Sequence, residues 1–271
     1  MSDGLLSLRF ARDWRGRTRV TARQQRYPLL TTAVLPMESE LGALIYVQNA
    51  AGSVFGGDRL HTELQLGPRA ELCVSTPSAT RLQGEELSIQ TVKVELGDGS
   101  FFESVPEMII PHPKADHRQH TCVELGPGAR AILVESFAPG RVARGERYLY
   151  RNISIRLRAS FSGRVVLDDA FSFRPAEATP NLEGTLGSFG YVGSLLALAD
   201  DGDHEALAAQ INARLASFPE VYGGAAALAS GHGVLARFLA GDAPSLRAVK
   251  HAVWDAARYH LHGNHAPFLR K

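Results

Sequence analysis

A mainly β fold, a solenoid-like (β-helix-type) stack of strands with a short C-terminal helical element, is predicted by three observations. A turn motif recurs at near-constant spacing, the segments before each turn alternate apolar and polar residues, and the composition shifts to Ala and Leu with helical spacing after about Gly193. The motif copies are Leu66-Gly67-Pro68-Arg69-Ala70, Leu96-Gly97-Asp98-Gly99-Ser100 and Leu125-Gly126-Pro127-Gly128-Ala129, 30 and 29 residues apart. A strand–turn–strand unit repeated at that period stacks in layers, each covering its neighbour's apolar face. A meander of hairpins sharing turn chemistry is the plain alternative.

The elements follow in order. Leu60–Leu66, Ile89–Leu96 and Thr121–Leu125 alternate as half-buried strands, and Glu71–Val74, Phe101–Val105 and Arg130–Glu135 follow the turns as apolar strands. The strand pattern continues through Tyr148–Arg158 and Gly163–Phe173 and is expected to end around Pro175 to Pro180. A helix is expected from Asp203 through Leu215. A second starts at Asp242 to Ser245, capped by one of these two, with Val249, Val253, Trp254, Ala257 and Leu261 on its apolar side. Gly223 to Leu239 reads as strands, because each of its glycines would weaken a helix by about 1 kcal/mol. The expected organisation is one domain over 1–271, with a β-stacked part at 1–190 and a part with about two helices and short strands at 191–271.

Lys and Arg number 29 against 28 Asp and Glu, and 45% of the residues are hydrophobic, so the chain has ample apolar material for a core. Basic residues form no run of five or more, which argues against a nucleic-acid partner. The densest positive stretch, Arg12 to Arg19, reads as one solvated strand face. Cys73 and Cys122 sit in no metal-ligand spacing and read as buried thiols. No apolar window approaches 18 residues, so a membrane association is not expected and a cytoplasmic, reducing location is.

Several motifs bear on chemistry. Gly56-Gly57-Asp58 lacks the Lys-Ser/Thr of a phosphate loop; its glycines suit close backbone packing, and Asp58 is either a loop cap or a functional acid. Glu103, Glu107 and Glu135 are carboxylates that could bind a cation or form an acid/base pair on a sugar, against the plain reading of solvated acids. In Gly140 to Arg147, Arg144 is a candidate to pair with Glu146 or with a partner chain. Histidines gather at His112, His117 and His120, and again at His260, His262 and His265; either group could hold Ni²⁺ or Zn²⁺, though neither forms a closed ligand set. Gly187-Ser188-Phe189-Gly190 is no nucleophile elbow.

The ordered blocks Gly-Gly-Asp-Arg-Leu (56–60), Ser-Thr-Pro-Ser-Ala-Thr-Arg-Leu (75–82), Pro-Glu-x-Ile-Ile-Pro-His-Pro (106–113) and Gly-Arg-x-Ala-Arg-Gly-Glu (140–146), with a late Trp254, resemble the UreD/UreH urease accessory family over about residues 45 to 260. The chain departs from that family's pattern at 49–53 and at Ser75-Thr76-Pro77. The resemblance implies a mostly β, non-enzymatic urease maturation scaffold. Its partners would be the urease apoprotein, a helical accessory subunit and a nickel-carrying GTPase. No cofactor would be tightly bound, and Ni²⁺ would pass only transiently. By motif position, Asp58 and Glu146 would be acids on an internal nickel path with Thr76, Ser78 and Thr80 near it, and Glu107, Arg141 and Arg144 would line the passage or face a partner. The rival reading is a β-solenoid carbohydrate-active enzyme using Glu103, Glu107 and Glu135 as paired carboxylates. Its expected row of stacked aromatics is missing from the repeat, and aromatics are only 8% of the chain.

Overall fold

A computed structural model describes residues 1–37, 41–177 and 184–269. An N-terminal hairpin joins β1 (Asp3–Arg12) to β2 (Thr18–Arg26), and short β3 (Leu29–Thr31) and β4 (Leu35–Pro36) lead into β5 (Ala43–Asn49) and β6 (Val54–Phe55). Three units follow: β7 (Arg59–Leu66), β8 (Glu71–Ser75) and β9 (Thr80–Gln83); then β10 (Leu87–Leu96), β11 (Phe101–Ser104) and β12 (Ile109–Pro111); then β13 (Asp116–Leu125) and β14 (Arg130–Phe137). A single 3₁₀ turn (Val142–Arg144) precedes the hairpin β15 (Asn152–Phe161) and β16 (Arg164–Phe173). The chain then forms β17 (Tyr191–Leu198), α1 (His204–Ala216), β18 (Val221–Ala227), β19 (Gly233–Ala240) and α2 (Ala243–His262). The expected end of the strand pattern falls partly on residues 178–183, outside the described residues; β16 ends at Phe173.

The sequence period appears as parallel pairing. Arg59 lies opposite Ile89 and Leu87 opposite Asp116 in one sheet; Glu71 lies opposite Phe101, and Phe101 opposite Arg130, in the other. The turns stack as well, the Gly97 N–H donating to the Leu66 carbonyl and the Gly126 N–H to that of Leu96, both at 2.8 Å. A Cβ on Gly97 would sit 2.8 Å from the Leu66 oxygen, so this close approach requires glycine.

The architecture nevertheless corrects the expectation of a β-helix-type stack. Parallel layering runs through β1-β7-β10-β13-β15 in one sheet and β5-β8-β11-β14 in the other, and antiparallel strands flank it, because β2 folds back on β1, β16 on β15 and β17 on β14. The result is two mixed, open sheets ordered β16-β15-β13-β10-β7-β1-β2 and β18-β19-β17-β14-β11-β8-β5-β3. Short β4, β6, β9 and β12 attach to the second. The basic stretch expected on a strand face is instead the turn after β1, where Asp13 accepts from the Arg15 and Arg17 amides at 2.8 and 2.9 Å.

Two cores result. One fills the space between the sheets with Leu6, Leu8, Phe10, Leu64, Leu72, Phe102, Val123 and Leu133. The other lies between the second sheet and the helices, with Ile132, Val134, Leu207, Ile211, Val249, Val253 and Trp254. Both helices start on side-chain caps, Asp203 accepting from the Ala206 amide at 2.8 Å and Asp242 from that of Ser245 at 2.7 Å. Residues 223–239 form strands, with Leu228–His232 as the connection. Among the described residues no helix is long and apolar enough to cross a membrane. Cys73 is buried, but Cys122 is only half-buried, on the outer face of the first sheet.

Candidate functional site: a polar cavity between the sheets

Inward-facing positions of β7, β10 and β13 should all be apolar in a dry sheet-on-sheet core. Four are not. Thr62 and Thr121 both neighbour Val92 on the inner face, and Gln90 lies beside Gln119 on the adjacent strand. From the second sheet Thr76, Thr80, Ser104, Glu107, Glu135 and Ser136 converge on them, enclosing a cavity of about 120 Å³ with aliphatic walls. At about 30 Å³ per water, that volume accommodates around four.

Glu135 is its central acid. The Gln119 side-chain amide donates to Glu135 Oε1 at 2.5 Å. Burial, followed by the charge of Asp169, pushes the Glu135 carboxyl up to about 7. A second cavity of about 50 Å³ shares Leu133 and Glu135 as walls and reaches Asp169 and Arg237, which form an ion pair. On the other side, Val47, Thr76 and Thr80 are shared with a pocket of about 240 Å³ that includes Ser78, while Glu107 is shared with a broad outer groove. These spaces adjoin through shared wall residues.

The other sequence-marked residues fall in different places. Thr76 and Thr80 line the inner cavity, and Ser78 the outer pocket. Thr76 Oγ1 accepts from the Glu107 amide at 2.9 Å and donates to the Ser78 carbonyl at 3.0 Å. Glu146 is gripped by Arg141 through two bonds of 2.6 and 2.7 Å, so the expected pairing with Arg144 gives way to Arg141, and Arg144 stays exposed. This loop needs Gly140 (φ +140°), where a Cβ would collide with the Glu146 carbonyl.

Asp58 is 1% exposed, and both its oxygens are engaged: Oδ1 accepts from the Ser2 amide at 2.7 Å and Oδ2 from the Phe55 amide at 2.9 Å. It lines none of the four spaces described here. That geometry supports a loop anchor and not a nickel ligand. Asp58→Ala is therefore expected to cost about 2–4 kcal/mol through the loss of two charge-assisted bonds. Thermal melting should drop, with less complex in cells but unchanged nickel per assembled complex. Reduced nickel per complex at normal complex levels would return Asp58 to the path.

The histidines scatter. His112 sits at the outer groove, with burial and the charge of Arg141 pulling its pKa down. His117 is fully buried, its Nδ1 2.9 Å from Ser88 Oγ, and burial lowers its pKa to about 4. His120 faces outward, 3.4 Å from Cys122 Sγ. At the C-terminal end, His262 stacks on Phe101 at 4.6 Å and reaches Glu71 at 3.3 Å, His265 pairs with Asp255 at 2.9 Å, and His260 lines a separate surface pocket. Among the described residues, no three His, Cys, Asp or Glu side chains converge as a metal site.

The three candidate carboxylates do not form one group: Glu107 and Glu135 line the inner cavity, and Glu103 lies apart from it. Glu103 is buried on the helix side of its sheet, where Trp254 Nε1 donates to it at 2.7 Å and Arg258 Nε at 3.0 Å, while Glu135 faces the opposite side. The carbohydrate-active reading has no support in this arrangement. Gln119, Gln90, Thr62 and Thr121 were missed by sequence reasoning, although polar residues at inward strand positions were the available signal.

Comparison with known proteins gives a consistent result. A family model described as UreD urease accessory protein matches residues 2–271. A Haloarcula marismortui protein named urease accessory protein UreD is 34% identical over 229 residues, 84% of this chain and 76% of its own length. A Mycolicibacterium gilvum protein of the same name is 32% identical over 95% of this chain and 94% of its own length. Brucella suis urease accessory protein UreD 2 is 29% identical, covering 93% of this chain and 85% of its own length.

Proposed function

The chain belongs to the UreD urease accessory protein family, and from that premise we propose that it is a urease maturation scaffold, without turnover of its own, that guides nickel as cargo through the space between its sheets. Its partners in this reading are the urease apoprotein, a helical accessory subunit and a nickel-carrying GTPase, in the cytoplasm. The observation that carries the proposal is the polar cavity around Glu135. A sheet-on-sheet core gains nothing by placing a carboxylate and two glutamines inside, since each buried polar group must be satisfied at a cost in stability. A transient path explains them. Ni²⁺ is a borderline cation that exchanges fast on an incomplete oxygen-ligand set, and Glu135 with Thr76, Thr80 and Gln119 supplies oxygens without closing a site.

Glu107 and Ser78 extend the path toward the outer groove, and Asp169 toward the opposite face. Glu146, Arg141 and Arg144 belong to a loop beside that groove and suit partner contact better than metal contact. A strain lacking the chain should contain urease protein that is nickel-poor and nearly inactive, with both nickel content and activity restored by re-expression. Fully active, nickel-loaded urease in that strain would refute the maturation role.

A further inference from the structure

The outer groove has a volume of about 1290 Å³ and an apolar floor formed by Met108, Ile110, Ala138, Val142 and Tyr191. Three arginines from separate elements edge it: Arg81 on β9, Arg144 in the 3₁₀ turn and Arg247 on α2. All three are exposed, and among the described residues none of them forms an ion pair. The neighbouring Arg141 already has its carboxylate in Glu146, and among the described residues Glu107 is the single acid lining the groove. Phe268 stands at the rim, 84% exposed. A concave apolar floor, a large aromatic left in water and three cations without counter-charges form an incomplete interface.

We propose that this groove receives an acidic amphipathic helix from a partner protein, its apolar side on the floor and its carboxylates against Arg81, Arg144 and Arg247. The size fits. A helix about 10 Å across rises 1.5 Å per residue, so roughly ten residues occupy about the groove's volume. The charges fit as well, because arginine forks grip carboxylates bidentately, and carboxylates three or four positions apart share one helix face. The inference rests on the scaffold reading only for the choice of partners to test.

The test is a pull-down of the full chain, wild type and Arg81→Glu/Arg144→Glu/Arg247→Glu, against co-expressed urease apoprotein and each accessory subunit at low and high salt. Expected is a loss on the order of tenfold or more in binding to one partner, with the others and the melting temperature unchanged. A replacement of all three arginines by lysine should keep much of the binding, since charge is retained. Restoration by Glu→Arg changes on the captured helix would fix the pairing. Single reversals Arg81→Glu and Arg144→Glu, both at exposed side chains, cover the case in which the triple variant melts early. Binding of every partner within twofold of wild type would overturn the groove proposal while leaving the scaffold reading standing. A reversal that only converts a self-associated form to monomer would assign the groove to a second copy of this chain and likewise overturn it. A wild-type chain that captures no partner would refute the scaffold reading and the groove proposal together.

Discussion

Glu103→Ala should lower the stability of this protein by about 3–5 kcal/mol and loosen α2 from the sheet. Glu103 lies on β11 with its carboxylate fully out of water, one oxygen accepting from Trp254 and the other from Arg258, both on α2. Burial pushes its carboxyl up, and the charge of Arg258 pulls it back. Arg258 also reaches the His265 carbonyl at 2.5 Å, so the same guanidinium fastens the segment after the helix. Truncating Glu103 leaves that guanidinium buried without its anion and orphans the indole N–H. At roughly 2–4 °C per kcal/mol for a chain near this size, the melting temperature should fall by about 6–20 °C. The cost arises from the abandoned partner, so Glu103→Leu/Arg258→Leu should recover most of the loss. A single variant melting within about 2 °C of wild type would show that the pair contributes nothing net.

This pair also illustrates what the sequence could and could not reveal. The turn repeat was legible because stacked turns demand glycine where one backbone meets the next, as at Gly97 on the Leu66 carbonyl. Helix ends were legible because Asp203 and Asp242 cap locally. The limits of the repeat were not, since parallel and antiparallel strands share the same alternation and differ only in which strand lies alongside. Within the candidate site, His117 and His120 are three apart on one strand, an odd spacing that sends them to opposite faces and rules out a shared metal. That much was readable. The apposition of Gln119 and Glu135 was not, because it depends on two sheets meeting face to face. The two readings of Asp58 were inseparable in the sequence for a related reason: a carboxylate after two glycines looks the same whether it faces a passage or the chain's own amides.

Glu135→Lys should reduce nickel per assembled urease complex by at least a hundredfold while leaving assembly near normal. An ammonium in a cavity of about 120 Å³ stands within about 5 Å of any passing ion. At an effective dielectric of about 20, its repulsion of a divalent cation at that distance is about 7 kcal/mol, far more than a thousandfold in rate if none of it is relaxed. Glu135→Gln removes the attractive charge but keeps the shape, so its effect should be smaller and should depend on pH. The Glu135 carboxyl titrates near 7 in the folded chain, so wild-type nickel transfer should rise from pH 6 to pH 8, as the proton that competes with the metal is lost, whereas transfer by the glutamine variant stays flat. Stability runs the other way. The folded state holds this proton up to about 7, but an unfolded glutamate releases it near 4.5, so ionisation disfavours folding increasingly as pH rises between those values. Above pH 7 the glutamine variant should therefore be more stable than wild type by about 1–3 kcal/mol, with the difference vanishing below pH 4. Nickel per complex and amount of complex must be measured in the same cells, because a lysine that merely unfolds the core lowers both. Normal nickel loading of Glu135→Lys complexes would mean that the cargo travels by another route and that the polar cavity is structural.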